Sequence, residues 1–309
     1  MNSKLIDIRN YPVSNVLKNL IKDKTTGKNI VFATNEYVLN GVPIEETTQI
    51  TVDTLYALGD AIQPRVTKSI ELQTNRTRKK AEVFTPSWIC NKMNNHCDNE
   101  WFGRENVFNI DKGQTWETII DPIKFNKPMD WQKYVDSKRL EITCGEAPYI
   151  VSRYDASTGD IIPINNRIGI LDRKLRIVKE NAKEEKEWLK WTIRAFQSVY
   201  GYEFQGDNVL IARINLLMSF VEYMEDLLDR IPTESELKKI TNIICWNIWQ
   251  MDGITGTVPF GKPKEEFHQV TFFDYEQGIN DTEEEEVDCR IFDWRADRSI
   301  SYRNIREGK

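Results

Sequence analysis

The sequence predicts an α/β protein built on a parallel sheet, and three observations carry that reading. Beyond residue 140, short apolar strands alternate with long helical stretches, the order that places crossover helices over parallel strands. One helical stretch has apolar residues at Leu210, Ile214, Leu217, Val221, Met224 and Leu228, a stripe of helical period that belongs in a core. The strands run into a glycine turn or an acid, and parallel sheets hold ligands beyond such strand ends.

The elements follow in chain order. Residues 1–75 read as an α+β extension. Ser14 is placed to cap a helix reaching Leu20, with Val16, Leu17 and Leu20 on its apolar side. Residues 28–33 and 37–39 read as strands around Thr34-Asn35-Glu36, and 53–63 and 66–80 as helices, the second strongly basic. Pro86 at a first helical position, followed by Ile89, Met93 and His96, predicts a helix. Residues 97–130 read as loop, their tryptophans serving packing. A strand is expected at 140–143, a polar excursion with a turn at 154–172, and helices at 182–199 and 207–229 with the strand 199–202 between them. Pro232-Thr233-Glu234-Ser235-Glu236 opens a further helix, 241–248 reads as a buried strand, and 287–291 as an alternating strand after the acidic run Glu283-Glu284-Glu285-Glu286.

Composition narrows the function classes. The 309 residues are 40% hydrophobic and 29% charged, as in a globular protein of one large domain or two modest ones. No apolar run approaches the length of a membrane span, and the first residues lack the layout of a signal peptide. Five widely spaced cysteines are an odd number, which fits reduced thiols and a cytoplasmic location. Cys90, His96 and Cys97 have no second close pair to complete four ligands, so no metal is expected. The net charge of −6 is no nucleic-acid footprint, yet Arg76, Arg78, Lys79 and Lys80 place four cations within five residues. They form either a solvated helix face or a phosphate-contacting segment for DNA.

Four segments carry chemistry: Lys79-Lys80-Ala81-Glu82-Val83-Phe84-Thr85-Pro86, Leu140-Glu141-Ile142-Thr143-Cys144-Gly145-Glu146, Tyr200-Gly201-Tyr202-Glu203 and Ile248-Trp249-Gln250-Met251-Asp252-Gly253. A glycine after a strand permits tight turning and close backbone approach to a ligand, and one carboxylate can accept from two hydroxyls at once. In this order the segments resemble the amino-methylating DNA methyltransferases of restriction-modification systems. The type I modification subunits and the fused restriction-methylation enzymes, which methylate adenine N6, are the most similar in pattern. The resemblance covers about residues 76–256.

It implies a Rossmann-like S-adenosylmethionine-dependent methyltransferase fold at 76–275, followed by an acidic loop and a terminal strand at 276–309. It also implies S-adenosylmethionine as cofactor. Phe84, Thr85 and Pro86 would flank it, Glu141 would meet the methionine amino group, and Cys144 and Gly145 would form the turn beneath it. Glu203 would take the ribose hydroxyls and Asp252 the adenine amine. Two departures stand out: the turn reads Cys-Gly-Glu-Ala-Pro where the family has Cys-Gly-Ser-Gly, and no Asn-Pro-Pro-Tyr occurs to hold a target amine. Two stretches could replace it, Thr257-Val258-Pro259-Phe260 and Phe292-Asp293-Trp294. The second is preferred because it follows a strand, with Asp293 as acceptor and Trp294 as base-stacking ring.

A full sheet of this family needs further strands, so the expected fold is incomplete unless residues 29–39 or a partner supply them. The expected function is DNA methylation, at adenine N6. The rivals are a cofactor-binding subunit without its own chemistry and a methyltransferase-fold enzyme with another substrate. DNA, a specificity or restriction subunit and a second copy are the partners to consider.

Overall fold

Apolar residues at 13, 16, 17 and 20 make one face of α1 (Val13–Leu20), and all four are buried. The helix starts one residue before Ser14, after Pro12 and with no side-chain cap, so the expected capping role of Ser14 does not hold. These facts come from a computed structural model, which describes residues 4–69, 73–74, 85–261 and 288–308.

After α1, residues 29–31 form only isolated bridges, Lys22 with Asn29 and Val31 with Gln49. A two-residue hairpin, β1 (Val38–Leu39) with β2 (Val42–Pro43), leads to α2 (Val52–Leu58), whose cap is Thr51 accepting from the Thr54 N–H. The helix α3 (Ser87–Phe102) starts behind Pro86 as expected and continues into the stretch read as loop. A small hairpin, β3 (Asn109–Asp111) with β4 (Trp116–Thr118), and α4 (Asp130–Asp136) complete the approach to the sheet.

The central sheet is parallel and three-stranded, in the order β5 (Arg139–Glu141), β6 (Val199–Glu203), β7 (Ile248–Gln250). Arg139 stands opposite Val199, and Gly201 opposite Ile248. The connections run through α5 (Ile170–Asn181), α6 (Glu185–Gln197), α7 (Gly206–Leu228) and α8 (Glu234–Asn247). The expected α/β class with a parallel sheet is therefore what the chain forms.

Two expectations about these helices need correction. The run 241–248 was expected to be a strand, but α8 continues to Asn247 and the strand is only Ile248–Gln250. Leu237, Ile240, Thr241, Ile244 and Cys245 are buried at helical spacing, and a capping box between Thr233 and Glu236 sets the helix from its start. The other is α5, which lies partly inside the stretch read as a polar excursion. Its first N–H groups at Ile170 and Leu171 bond the carbonyls of Tyr149 and Ile150 at 2.8 and 2.9 Å. Those bonds satisfy donors that a helix start otherwise leaves free, and no local sequence pattern announces them.

Most of α7 is buried on all sides, from Gly206 through Leu217. Its expected stripe is core, but so is the rest of that half of the helix. The buried cluster around it includes Ile6, Phe32, Ile50 and Leu55, so the N-terminal residues share this core. The other face of the sheet carries Tyr200, Tyr202, Trp249 and Met251, packed with Cys289 in a second cluster. Ile291, Trp294 and Tyr302 cover it from the hairpin β8 (Arg290–Asp293) with β9 (Arg298–Ser301) and from the short α9 (Tyr302–Arg306). Among the described residues, no helix is long and apolar enough to cross a membrane.

Candidate functional site

The carboxyl ends of β5, β6 and β7 open into a cleft of about 1070 Å³, at the upper end of the range for small-molecule sites. The strands are parallel and in register, so residues far apart in sequence arrive at one rim. Thr85, Glu141, Cys144, Gly145, Glu203 and Asp252 all line the cleft. Pro86 stands one residue further on, before α3. Phe84, Arg76, Arg78, Lys79 and Lys80 lie outside the described residues.

The turn after β5 is unusual in its backbone. Thr143, Gly145 and Ala147 all have positive φ, at 46°, 52° and 64°. Only glycine takes such a conformation without penalty, so two non-glycine residues store strain at this cleft wall. A Cβ at Gly145 would meet nothing within 4 Å, so its backbone faces open space. The strand does not pass directly into a helix here. Residues 147–151 make single turns, with Val151 N–H bonded to the Ala147 carbonyl, before the chain swings away.

Glu203 ties this turn to the next strand. Its Oε2 accepts from the Gly145 N–H at 3.0 Å and its Oε1 from the Gln205 N–H at 3.1 Å, with the residue only 8% exposed. Both carboxylate oxygens thus take part in holding the turn after β5 against the turn after β6. Glu141 is different. Its Oε1 accepts a long bond of 3.4 Å from the Tyr149 N–H, while its Oε2 is buried with no hydrogen-bond partner. Burial pushes its carboxyl well above the usual range, and the Glu203 carboxylate adds to the shift. This oxygen is therefore a buried polar atom of the cleft lining whose hydrogen-bonding capacity the protein itself does not use.

Asp252 follows β7 and caps its own turn, Oδ1 accepting from Ile254 and Thr255 at 2.8 and 3.3 Å. Glu146, the acid within the turn after β5, is fully engaged: Oε1 accepts from the Arg65 N–H and Oε2 from the Tyr154 hydroxyl, each at 2.7 Å.

Several cleft residues escaped the sequence reading. Phe204 follows Glu203 directly and lies against Phe260, ring centroids 5.7 Å apart. Met93, Asn94 and Cys97 on α3 form another wall, with Asn94 Nδ2 donating to the carbonyls of Tyr149 and Ile168 at 3.0 Å. Gln250 is a clamp rather than a ligand-facing group. Its Nε2 donates to the carbonyls of Val31 and Phe204, and its Oε1 accepts from the Val31 N–H, at 2.8–2.9 Å. The N-terminal segment therefore docks beside β7 by side-chain bonds and does not extend the sheet at β5. An aromatic after a strand-end acid was the one available signal for Phe204. Nothing local marks the others.

Asp293 and Trp294 are not at this cleft, which corrects their expected catalytic role. Asp293 Oδ1 accepts from the N–H groups of Arg295 and Ala296, and Oδ2 is 3.5 Å from Lys138 Nζ. Those backbone bonds, with Lys138 beside them, hold its carboxyl below the usual range. Lys138 precedes β5, so Asp293 sits at the amino end of the sheet, opposite the cleft. Trp294 Nε1 donates to Asn247 Oδ1 at 2.8 Å, just before β7 begins. The β8–β9 hairpin folds back across the sheet face, and its turn reaches the strand starts. By contrast, the stretch at 257–260 is near the cleft, through the contact of Phe260 with Phe204.

In comparisons with known proteins, no family model matches this chain, and no curated protein or solved structure matches it.

Proposed function

We propose that the cleft binds S-adenosylmethionine and that the chain is the cofactor-holding part of a DNA methyltransferase acting on an exocyclic amine, adenine N6 by resemblance. One observation carries this reading: Glu141, Glu203 and Asp252, one acid from the end of each parallel strand, line a single cleft around Gly145. The donor set suits the ligand. The buried, unpartnered Oε2 of Glu141 fits an ammonium group. Glu203 stands at the same rim, where the resemblance puts the ribose hydroxyls, and Oδ2 of Asp252 can accept from an exocyclic amine. The open backbone at Gly145 allows a chain of atoms to pass close above it. When bound, the cofactor supplies an electrophilic methyl group on sulfur. The protein's residues hold and orient that group and keep bulk water from it.

The amine-holding role cannot fall to Asp293, which serves a hairpin turn at the far end of the strands. Phe260, half exposed and set edge-to-face with Phe204, is the aromatic better placed to meet a displaced base. With no Pro-Pro motif behind it, transfer needs groups from outside the described residues, so the cofactor-binding subunit becomes the preferred reading.

Titration calorimetry with S-adenosylmethionine tests this directly. We expect saturable one-to-one binding to the parent and weaker binding to Glu141→Gln. Heat of dilution only, at millimolar cofactor and with folded protein, would reject the reading.

A further inference from the structure

We infer that Arg65 recognises the carboxylate at the amino-acid end of the cofactor, and that Glu146 is the positioning residue that sets it there. The inference rests on the reading of the cleft as a site for S-adenosylmethionine. Among the described residues that line the cleft, Glu141, Glu146, Glu203 and Asp252 are acids and Arg65 is the one cation. The ligand brings two positive groups, its ammonium and its sulfonium, and one negative group, its carboxylate. Ionised acids repel that carboxylate. Arg65 can take it in a two-fold pair, because a guanidinium presents planar, forked donors that match a carboxylate.

Position supports the pairing. Ammonium and carboxylate sit on one carbon of the ligand, so the groups that meet them must stand close together. Glu141 and Arg65 are both tied to the segment that follows β5. Glu141 Oε1 accepts from the Tyr149 N–H at 3.4 Å, and the Arg65 N–H donates at 2.7 Å to Oε1 of Glu146, directly after Gly145. Glu146 is itself held in place. Its Oε2 accepts from the Tyr154 hydroxyl at 2.7 Å, while Asn215 Nδ2 donates to its carbonyl at 3.1 Å and to that hydroxyl at 3.0 Å. At the other end of Arg65, Nη2 donates to the Gln73 carbonyl at 2.7 Å, and Gln73 Nε2 donates to the Lys68 carbonyl at 2.7 Å. These bonds orient the side chain before a ligand arrives, which lowers the cost of binding. Arg65 is only 3% exposed, and a charged hydrogen bond is stronger away from bulk water.

Calorimetry with two ligands that differ only in the carboxylate tests the assignment: S-adenosylmethionine and its decarboxylated form. Net charge alone favours the decarboxylated form in a cleft lined mostly by acids, whereas a carboxylate held by Arg65 reverses that order. We expect the parent to bind S-adenosylmethionine about tenfold or more tighter than the decarboxylated form. Arg65→Gln should lose that preference by weakening S-adenosylmethionine alone, and Arg65→Lys, which keeps the charge without the fork, should retain part of it. Glu146→Ala should lower the preference, and Glu146→Gln, whose amide oxygen still accepts from the Arg65 N–H, should keep it. A parent that binds the decarboxylated form at least as tightly as the complete cofactor would overturn the proposal and leave the cofactor site standing. So would an Arg65→Gln protein, folded by circular dichroism, that weakens both ligands by the same factor, since Arg65 would then be a structural tie. Binding of neither ligand to the folded parent would remove the cofactor reading itself, and this inference with it.

Discussion

Replacing Glu203 by alanine separates two roles that one carboxylate performs. In the free protein it accepts from the N–H groups of Gly145 and Gln205 at 3.0 and 3.1 Å. Bonds to a charged acceptor contribute about 1.5–3 kcal/mol each when both partners are buried. Gly145 faces the open cleft and can turn to water, whereas Gln205 is buried at 4% exposure. The loss for the pair should therefore be about 2–4 kcal/mol of folding stability, near one full bond plus a fraction of the other. Cofactor binding should weaken separately, by about 1–3 kcal/mol for ribose hydroxyls left without an acceptor, or roughly 5- to 150-fold in Kd. Urea unfolding measures the first effect, and calorimetry with S-adenosylmethionine on the still-folded fraction measures the second. Glu203→Gln should recover part of the stability, because one amide oxygen can still accept. If Glu203→Ala loses stability but binds the cofactor as tightly as the parent, the carboxylate is a loop tie and its ligand role is wrong.

Other outcomes follow from the same geometry. Glu141 has its folded-state pKa raised by burial, so the stability this gives is complete below about pH 4, near the unfolded pKa, and is lost as pH rises through the folded value. Glu141→Gln should therefore gain in thermal midpoint over the parent as pH increases, with little difference in acid, and a gap that does not grow with pH would count against the assignment. Gly206→Ala would place a Cβ 1.9 Å from the Val31 carbonyl oxygen. It should cost roughly 1–3 kcal/mol or more by denaturant titration as the N-terminal segment is forced off the sheet. Asp98→Ala strands the buried Arg173, whose Nη1 is 2.5 Å from the lost carboxylate, and should cost about 3–5 kcal/mol in the same assay. Asp293→Ala should leave S-adenosylmethionine affinity unchanged, and a drop in affinity at equal stability would restore a role for it at the cleft.

The sequence by itself determined the parts of this protein that depend on neighbours along the chain. The helical period from Leu210 to Leu228, the start of a helix behind Pro86, and the acids and glycine closing each strand are all local patterns. Each reappears where expected because hydrophobic spacing and turn chemistry act over a few residues. The cleft could be anticipated for the same reason. Three strand ends in one parallel sheet must open on one side, so Glu141, Glu203 and Asp252 meet without any one of them specifying the others.

Tertiary structure decided the rest. The segment 241–247 is apolar enough for a strand, and its burial at helical spacing under a strong cap made it a helix. Helix α5 begins where it does because Ile170 and Leu171 find carbonyls at Tyr149 and Ile150, a choice made across some twenty residues. Gln250 became a clamp only because Val31 lies against it, 219 residues away in sequence. Asp293 shows the limit most plainly. An acid beside an aromatic at the end of an alternating strand has the same local sequence at either end of a sheet. Which end it occupies is set by the direction in which the hairpin folds back, and that depends on Tyr200, Trp249 and Tyr302 packing beneath it rather than on anything adjacent to Asp293.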